Sequence, residues 1–405
     1  SSDVCSSDWA VGTANSYIGI FIIMFSIISS GMVSVMTQNI GAGRPGVAYQ
    51  ARQLGLLFNA VAGVLMAAFL FSGAGAILRM VGIADALYEP ALIYLKIVGG
   101  GCILNAVIPI FSSYLRAFGY TKQPLYATIV GNIANFVMNA VFLFVLHKGV
   151  AGVATATVIS KILNLCIVLY FSHKLISAKN STERIANKTV LGQIVKVGLP
   201  SACETALYNV AMMLVIRFLN QMDAEGLNVT ARSYTATISN FSYCVGAALA
   251  QANAIMTGWH IGAGELEECD RGTKRAAFVG VCVAVCMETA IVLGSGFIMP
   301  LFTDNPEMTA LVRKLLAIDI VLEIGRVTNL VFGQALKTSG DAVFPAVIAA
   351  VFMFVFAVGG TWLFGISMGL MAVGAYIGLA SDECVRAVGM VWRWKTGKWR
   401  TKKLV

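Results

Sequence analysis

The sequence predicts an all-α integral membrane protein made of two parallel-repeat helical bundles, six helices each in the complete fold and eleven present here. Three observations carry that prediction. Hydrophobic residues make up 58% of the 405 positions and charged residues 12%, with a mean hydropathy of +0.79, whereas a soluble domain averages about 25% charged residues. The apolar runs reach the ~20 helical residues that a hydrocarbon core requires, rather than the ~10-residue alternating segments of a membrane barrel. Short motifs also recur along the chain at one fixed offset.

Residues 1–8 hold a doubled Ser-Ser-Asp and lack the basic start and small-residue cleavage site of a signal peptide. They read as a prefix foreign to the bundles. Spans follow at 9–39, 54–78, 90–115, 124–146 and 150–172, which together form an N-terminal bundle over 9–172. Basic residues such as Arg44, Arg79, Arg116 and Lys148 stand beside their ends, and the stretch 173–190 is a basic cytoplasmic linker. The C-terminal bundle, 191–393, holds spans 191–221, 228–260, 276–302, 308–336, 342–365 and 370–393, followed by a basic cytoplasmic tail at 394–405. Connections this short leave no room for a soluble catalytic domain.

The net charge of +9 reads as orientation rather than as a nucleic-acid surface, because the bases flank spans instead of lining one face. One side collects nineteen Lys and Arg, from Arg44 and Arg52 through Lys274, Arg275 and Lys337 to six in the tail between Arg393 and Lys403. The other side has four, Arg79, Lys148, Arg313 and Lys314. The richer side is cytoplasmic, which places the C-terminus inside and the protein, multi-pass, in the cell's inner (plasma) membrane.

Ile40-Gly41-Ala42-Gly43 recurs as Ile261-Gly262-Ala263-Gly264, an offset of 221, each copy just past the cytoplasmic end of a span. The same offset carries Leu115-Arg116 onto Leu336-Lys337, Gly119 onto Gly340 and Pro124 onto Pro345; one residue of slippage carries Gly152 onto Gly374. Both copies lie on the same side, so the halves are parallel repeats, a transporter's architecture. Gly41, Gly43, Arg44, Gly262 and Gly264 mark the paired cytoplasmic elbows. Span 191–221 shifted back by the offset ends before residue 1, so the first half is expected to lack its leading helix.

Gln38-Asn39-Ile40-Gly41-Ala42-Gly43-Arg44, the run Leu115 to Pro124, the face Asn132, Asn135 and Asn139, and Gly198-Leu199-Pro200-Ser201-Ala202-Cys203-Glu204 resemble the multidrug and toxic compound extrusion (MATE) family. The resemblance covers residues 9 to about 395. It implies twelve-helix exporters in which two bundles flank a V-shaped central cleft and a cation gradient drives extrusion. It also implies an acid in the first helix, which this chain does not contain. Glu204 matches an acid in the family's seventh helix, but Arg326 occupies the position of the second acid of sodium-coupled members. No sodium site is carried over.

Twelve charged residues fall within spans: Glu204, Glu288, Asp319, Glu323, Asp382 and Glu383, with Lys96, Lys161, Arg217, Arg232, Arg326 and Arg386. At about 3 kcal/mol each near the bilayer centre, leaving all of them on lipid costs roughly 36 kcal/mol, more than the stability of a typical domain. They must be paired, near an interface or facing water. Lys96, Arg232 and Glu288 are expected to snorkel from span ends. Asp319, Glu323 and Arg326 stand at i, i+4 and i+7 on one helical face. Two carboxylates one turn apart resist double ionisation, so this trio is a candidate proton carrier; the competing reading is a buried ion-pair network that locks helices.

Glu204 lies four residues after Pro200, where a helix break can line a cavity; the alternative is a partner for Arg217 or another buried base. Asn132, Asn135, Asn139 and Arg217 are candidate cleft residues for polar substrate groups, although the asparagines serve equally as interhelical hydrogen-bonders. Asp382 and Arg386, at i and i+4, read as a structural pair. The nine cysteines and three histidines are scattered and form no metal or disulfide framework, so no metal ligands and no cofactor are assigned.

The function expected is secondary-active multidrug efflux by cation antiport, coupled to H+ rather than Na+. The cargo is small amphipathic or cationic solutes and the surroundings are the lipid bilayer, with no nucleic acid and no obligate protein partner. A flippase for lipid-linked saccharide, drawing on Arg217, Arg232 and Arg326, is the nearest alternative, and a non-transporting membrane scaffold the next. No phosphate-binding loop or nucleophile constellation is present, so the chain reads as a transporter and not an enzyme.

Overall fold

Apolar stretches in a bilayer fold as helices because each helix satisfies its own backbone hydrogen bonds. Helices fill the computed structural model, which describes residues 25, 27–81, 85–176, 183–223 and 226–405. The prefix 1–8, the first part of span 9–39 and residues 177–182 of the linker lie outside the described residues. No strand occurs among those described. Seven helices there are long and apolar enough to cross a membrane.

The chain divides into two compact units, the described residues up to Gly198 and those from Leu199 onward. The first holds α1 (residues 27–41), α2 (Pro45–Val81), α3 (Asp85–Gly100), α4 (Cys102–Ala117), α5 (Lys122–Ala140) and α6 (Gly149–Leu175). α3 and α4 join into one apolar run, Tyr88–Ala117. Leu70 and Leu78 of α2 pack with Tyr94, Leu95 and Val98 of α3 and Cys102 of α4. The sequence starts the second span at 54, yet α2 begins at Pro45. Arg52 does not end it, because its guanidinium is covered by the rings of Tyr49 at 4.4 Å, Tyr114 at 5.0 Å and Phe111 at 5.4 Å.

The second unit takes most of α7 (Asn187–Met222), then α8 (Leu227–Ala263), α9 (Leu266–Ile298), α10 (Pro306–Ser339), α11 (Val343–Phe352) and α12 (Met371–Lys395). The unit boundary falls inside α7, whose first turns lie against α1, with the backbone of Gly31 against Ile194 and Gly198. α10 is the central helix, packed on α8, α9 and α12. It starts where the Asn305 side chain accepts from the N–H of Glu307 at 2.8 Å and of Met308 at 3.3 Å, with Pro306 at the first position. The first N–H groups of α8 are held by Asp223, which precedes the helix and whose carboxylate accepts from the N–H of Leu227 at 2.9 Å and of Asn228 at 3.0 Å. Partial burial pushes that carboxyl up, and the hydrogen bonds from Asn228, Leu227 and Gly226 outweigh it and hold it below the ordinary range. The tail folds back: Trp399 stacks on Trp394 with centroids 4.2 Å apart, Leu404 is buried, and Arg400 pairs with Glu267 at 2.7 Å.

The repeat is legible as geometry within each unit. Gly43 and Gly264 both take left-handed φ, +74° and +80°, and both close the same helix-ending motif. The Arg44 N–H reaches the Asn39 carbonyl at 2.8 Å, and the Glu265 N–H reaches that of His260 at 2.8 Å. Gly119 and Gly340 repeat the pattern, with Tyr120 to Leu115 and Asp341 to Leu336 both at 3.0 Å. Wide π-helical turns over Val141–Val145 and Thr361–Ser367 end the corresponding helices. Nothing lies within 4 Å of a Cβ placed on Gly264, so Gly264→Ala is a purely conformational change costing about 1–2 kcal/mol. Gly272→Ala, inside α9 and equally uncrowded, should gain about 0.5–1 kcal/mol. Thermal unfolding of the two purified variants should therefore shift in opposite directions.

Candidate functional site

The second unit gathers its buried charge where α10 and α12 touch. A Cβ on Gly325 would stand 2.7 Å from the Cys384 nitrogen and 2.8 Å from the Glu383 carbonyl carbon. Only a residue without a side chain lets the two backbones approach that closely. The approach brings the α10 face of Asp319, Glu323 and Arg326 against Asp382, Glu383 and Arg386 of α12.

Arg326 Nη1 donates to Glu323 Oε1, and its Nε lies 3.8 Å from Glu383 Oε1. Arg386 grips Asp382 with two nitrogens, Nη2 to Oδ2 at 2.7 Å and Nε to Oδ1 at 3.0 Å, and reaches Glu383 Oε1 at 2.7 Å. Glu383 thus bridges both guanidiniums and also accepts from Asn329 Nδ2 at 3.0 Å. Each oxygen so engaged repays part of the desolvation that burying it costs. A cavity of about 340 Å³ opens on this group, lined by Tyr208, Arg232, Ser239, Asp319, Arg326 and Glu383 among others. A second, about 220 Å³, is lined by Glu204, Arg326, Asn329, Lys337, Glu383 and Arg386 among others.

The structure brings Asp319, Glu323 and Arg326 together as their spacing requires. Glu204 stands apart from them, paired with Lys337 at 2.7 Å. Its partner is thus Lys337, in the last turn of α10, rather than Arg217, which is exposed on α7. In the first unit Asn139 Nδ2 donates to Asn135 Oδ1 at 3.2 Å, while Asn132 is exposed on the same helix. Lys161 there is held by Asn105 Oδ1 at 2.8 Å.

Two expectations need correction. Glu288 does not snorkel: it is fully buried in α9, and one of its oxygens lies within 4.8 Å of oxygens of both Asp319 and Glu323. Its place at the middle of the span 276–302 was the available signal. Asp382 and Arg386 do form the intrahelical pair, but through Glu383 they join the α10 charges instead of standing separately. The fold and this intramembrane site define a multi-pass membrane transporter.

The family model MatE matches residues 10–141 and 200–363. "Uncharacterized transporter YisQ" of Bacillus subtilis (strain 168) is 32% identical over 399 residues, covering 97% of this chain and 87% of that protein. "Probable multidrug resistance protein NorM" of Thermotoga maritima is 19% identical over 408 residues, covering 98% and 86%. A crystal structure of MATE in the straight conformation superposes with a TM-score of 0.86 at 21% identity, over 98% of this chain and 89% of the other. An outward-facing multidrug resistance MATE family transporter of the MOP superfamily gives 0.81 at 20% identity, over 98% and 91%. The chain belongs to the MATE family, and it is a transporter rather than an enzyme.

Proposed function

We propose that this transporter exports small amphipathic, often cationic solutes from the cell by secondary-active antiport, with the proton as coupling ion. The observation that carries the reading is the set of buried carboxylates at the wall of the larger cavity. Asp319 lines the cavity with its Oδ2 free of hydrogen bonds, so it is the group placed to exchange a proton with water. Glu323, one turn away, shares the exchange, and Arg326 is the fixed cation that sets how much charge the pair can hold. Glu204, tied to Lys337, couples the second cavity to the last turn of α10.

A proton entering the pair lowers the negative charge that attracts a cationic solute, so proton and solute compete and each promotes release of the other. Rocking of the 9–172 and 191–393 bundles then alternates access, with the C-terminus on the cytoplasmic side of the plasma membrane. Aromatic and thioether side chains at the cavity, Tyr208, Tyr243, Tyr376 and Met212, suit apolar cargo of varied shape. A flippase for anionic pyrophosphate-linked saccharide needs free guanidiniums; Arg326 is engaged by Glu323 and Arg217 lies outside both cavities, which leaves Arg232.

The test is efflux of a cationic dye from cells producing the chain, with and without a collapsed proton gradient. The proposal expects export that stops when the gradient is collapsed. Export insensitive to the gradient, or none from cells whose membranes contain the protein, would contradict it.

A further inference from the structure

Glu288 is 0% exposed, Glu323 0% and Asp319 3%, and one oxygen from each lies within 4.8 Å of the others. Both Glu288 oxygens, Asp319 Oδ2 and Glu323 Oε2 make no hydrogen bond among the described residues. The hydroxyls of Ser239, 4% exposed, and Ser242, 1% exposed, make none either. Ser242 stands beside Glu288 and Ser239 beside Asp319, each oriented toward its carboxylate as a hydrogen-bond donor but outside close hydrogen-bond geometry, and Ser239 lines the same cavity. Three carboxylates of α9 and α10 therefore converge, with a hydroxyl of α8 beside each of Glu288 and Asp319, and buried oxygens with unused lone pairs are rare unless something occupies the site.

Charge narrows what that occupant is. The interior group holds five carboxylates, Glu288, Asp319, Glu323, Asp382 and Glu383, against three guanidiniums, Arg232, Arg326 and Arg386. Arg386 is committed to Asp382 and Glu383 and Arg326 to Glu323 and Glu383, whereas Arg232 makes no ion pair among the described residues and donates to Met212 Sδ at 3.7 Å. When all five carboxylates are ionised, two negative charges are left over, centred on Glu288 and Asp319, and a bound cation competes with protons for them. Oxygens on opposite sides of a calcium-sized ion, bound at 2.3–2.6 Å, stand about 5 Å apart, and such an ion takes 6–8 oxygen ligands in flexible geometry. Cavity water can supply those that the protein does not.

We propose that Glu288, Asp319 and Glu323, with the hydroxyls of Ser239 and Ser242, form a binding site for one divalent hard cation of calcium size. The site uses neither Glu204 nor the position taken by Arg326. It does not rest on the antiport reading, since binding is read on purified protein without any gradient.

The experiment is equilibrium binding of radioactive calcium to the purified full chain in detergent at fixed pH, with potassium chloride holding ionic strength constant. The expected result is one saturable site, not displaced by equimolar sodium, and a rise in unfolding temperature as calcium is added. Glu288→Gln should abolish the site. Ser242→Ala, which removes no charge and is the safer variant for folding, should weaken it about tenfold, the scale at which even supporting groups around a metal act. The exposed Glu307→Gln serves as the unaffected control. Absence of saturable binding to the wild-type chain, equal competition by sodium, or affinity unchanged in both Glu288→Gln and Ser242→Ala would overturn the proposal.

Discussion

Asp319→Asn should reduce gradient-driven dye export to the background of cells lacking the protein, with the variant accumulating in the membrane at wild-type amount. Asparagine has the shape of aspartate and cannot release a proton, so the substitution removes proton exchange and little else. The structural cost is small because, among the described residues, Asp319 Oδ2 makes no close hydrogen bond, and the asparagine side chain can still accept from Ser239 beside it. Glu323→Gln should have the same effect on export with a larger loss of stability, because it also removes the partner of Arg326 Nη1. Breaking a buried pair from one side costs about 3–5 kcal/mol at most, and Glu383, 3.8 Å from Arg326 Nε, retains part of that. Undiminished export by Asp319→Asn would remove this residue from the coupling step.

The largest loss of stability is expected from Arg386→Met. Its guanidinium satisfies Asp382 through two nitrogens and Glu383 through one, and its removal leaves two buried carboxylates with fewer partners. About 3–5 kcal/mol should be lost, read as a fall in unfolding temperature and in membrane yield. The double variant Asp382→Leu, Arg386→Met should recover most of it, since an apolar pair of similar volume replaces both members. Glu383 then keeps Asn329 at 3.0 Å and Arg326. If the double variant is also fully active in export, this pair locks helices and takes no part in coupling.

Apolar run length, and the offset carrying Gly43 onto Gly264 and Gly119 onto Gly340, made the helices and their repeat legible from sequence. Both are local: a run satisfies its own backbone, and a left-handed glycine ends its own helix. The candidate site was legible only as far as one helix reaches. The spacing of Asp319, Glu323 and Arg326 placed them on one face, but it could not reveal that Gly325 lets α12 in close enough for Glu383 to share Arg326. The mid-span position of Glu288 already argues against snorkelling, but its neighbours come from another helix and are set by packing rather than periodicity. The sequence leaves the base that pairs with Glu204 open between Arg217 and another, because Lys337 lies on a distant helix and reads there only as one of the cytoplasmic bases that set orientation. The fold of the tail depends on Trp394 and Trp399 stacking, a contact that its run of lysines and arginines conceals.

The central claim is that solute leaves in exchange for protons bound by the carboxylates of α10. The most direct test is proton release from purified protein in lightly buffered detergent solution as a cationic substrate is added, compared between the wild-type chain and Asp319→Asn. The account predicts saturable, substrate-dependent release from the wild-type chain that is lost in Asp319→Asn even where the variant still binds the substrate. Substrate binding with no proton release from the wild-type chain would contradict it.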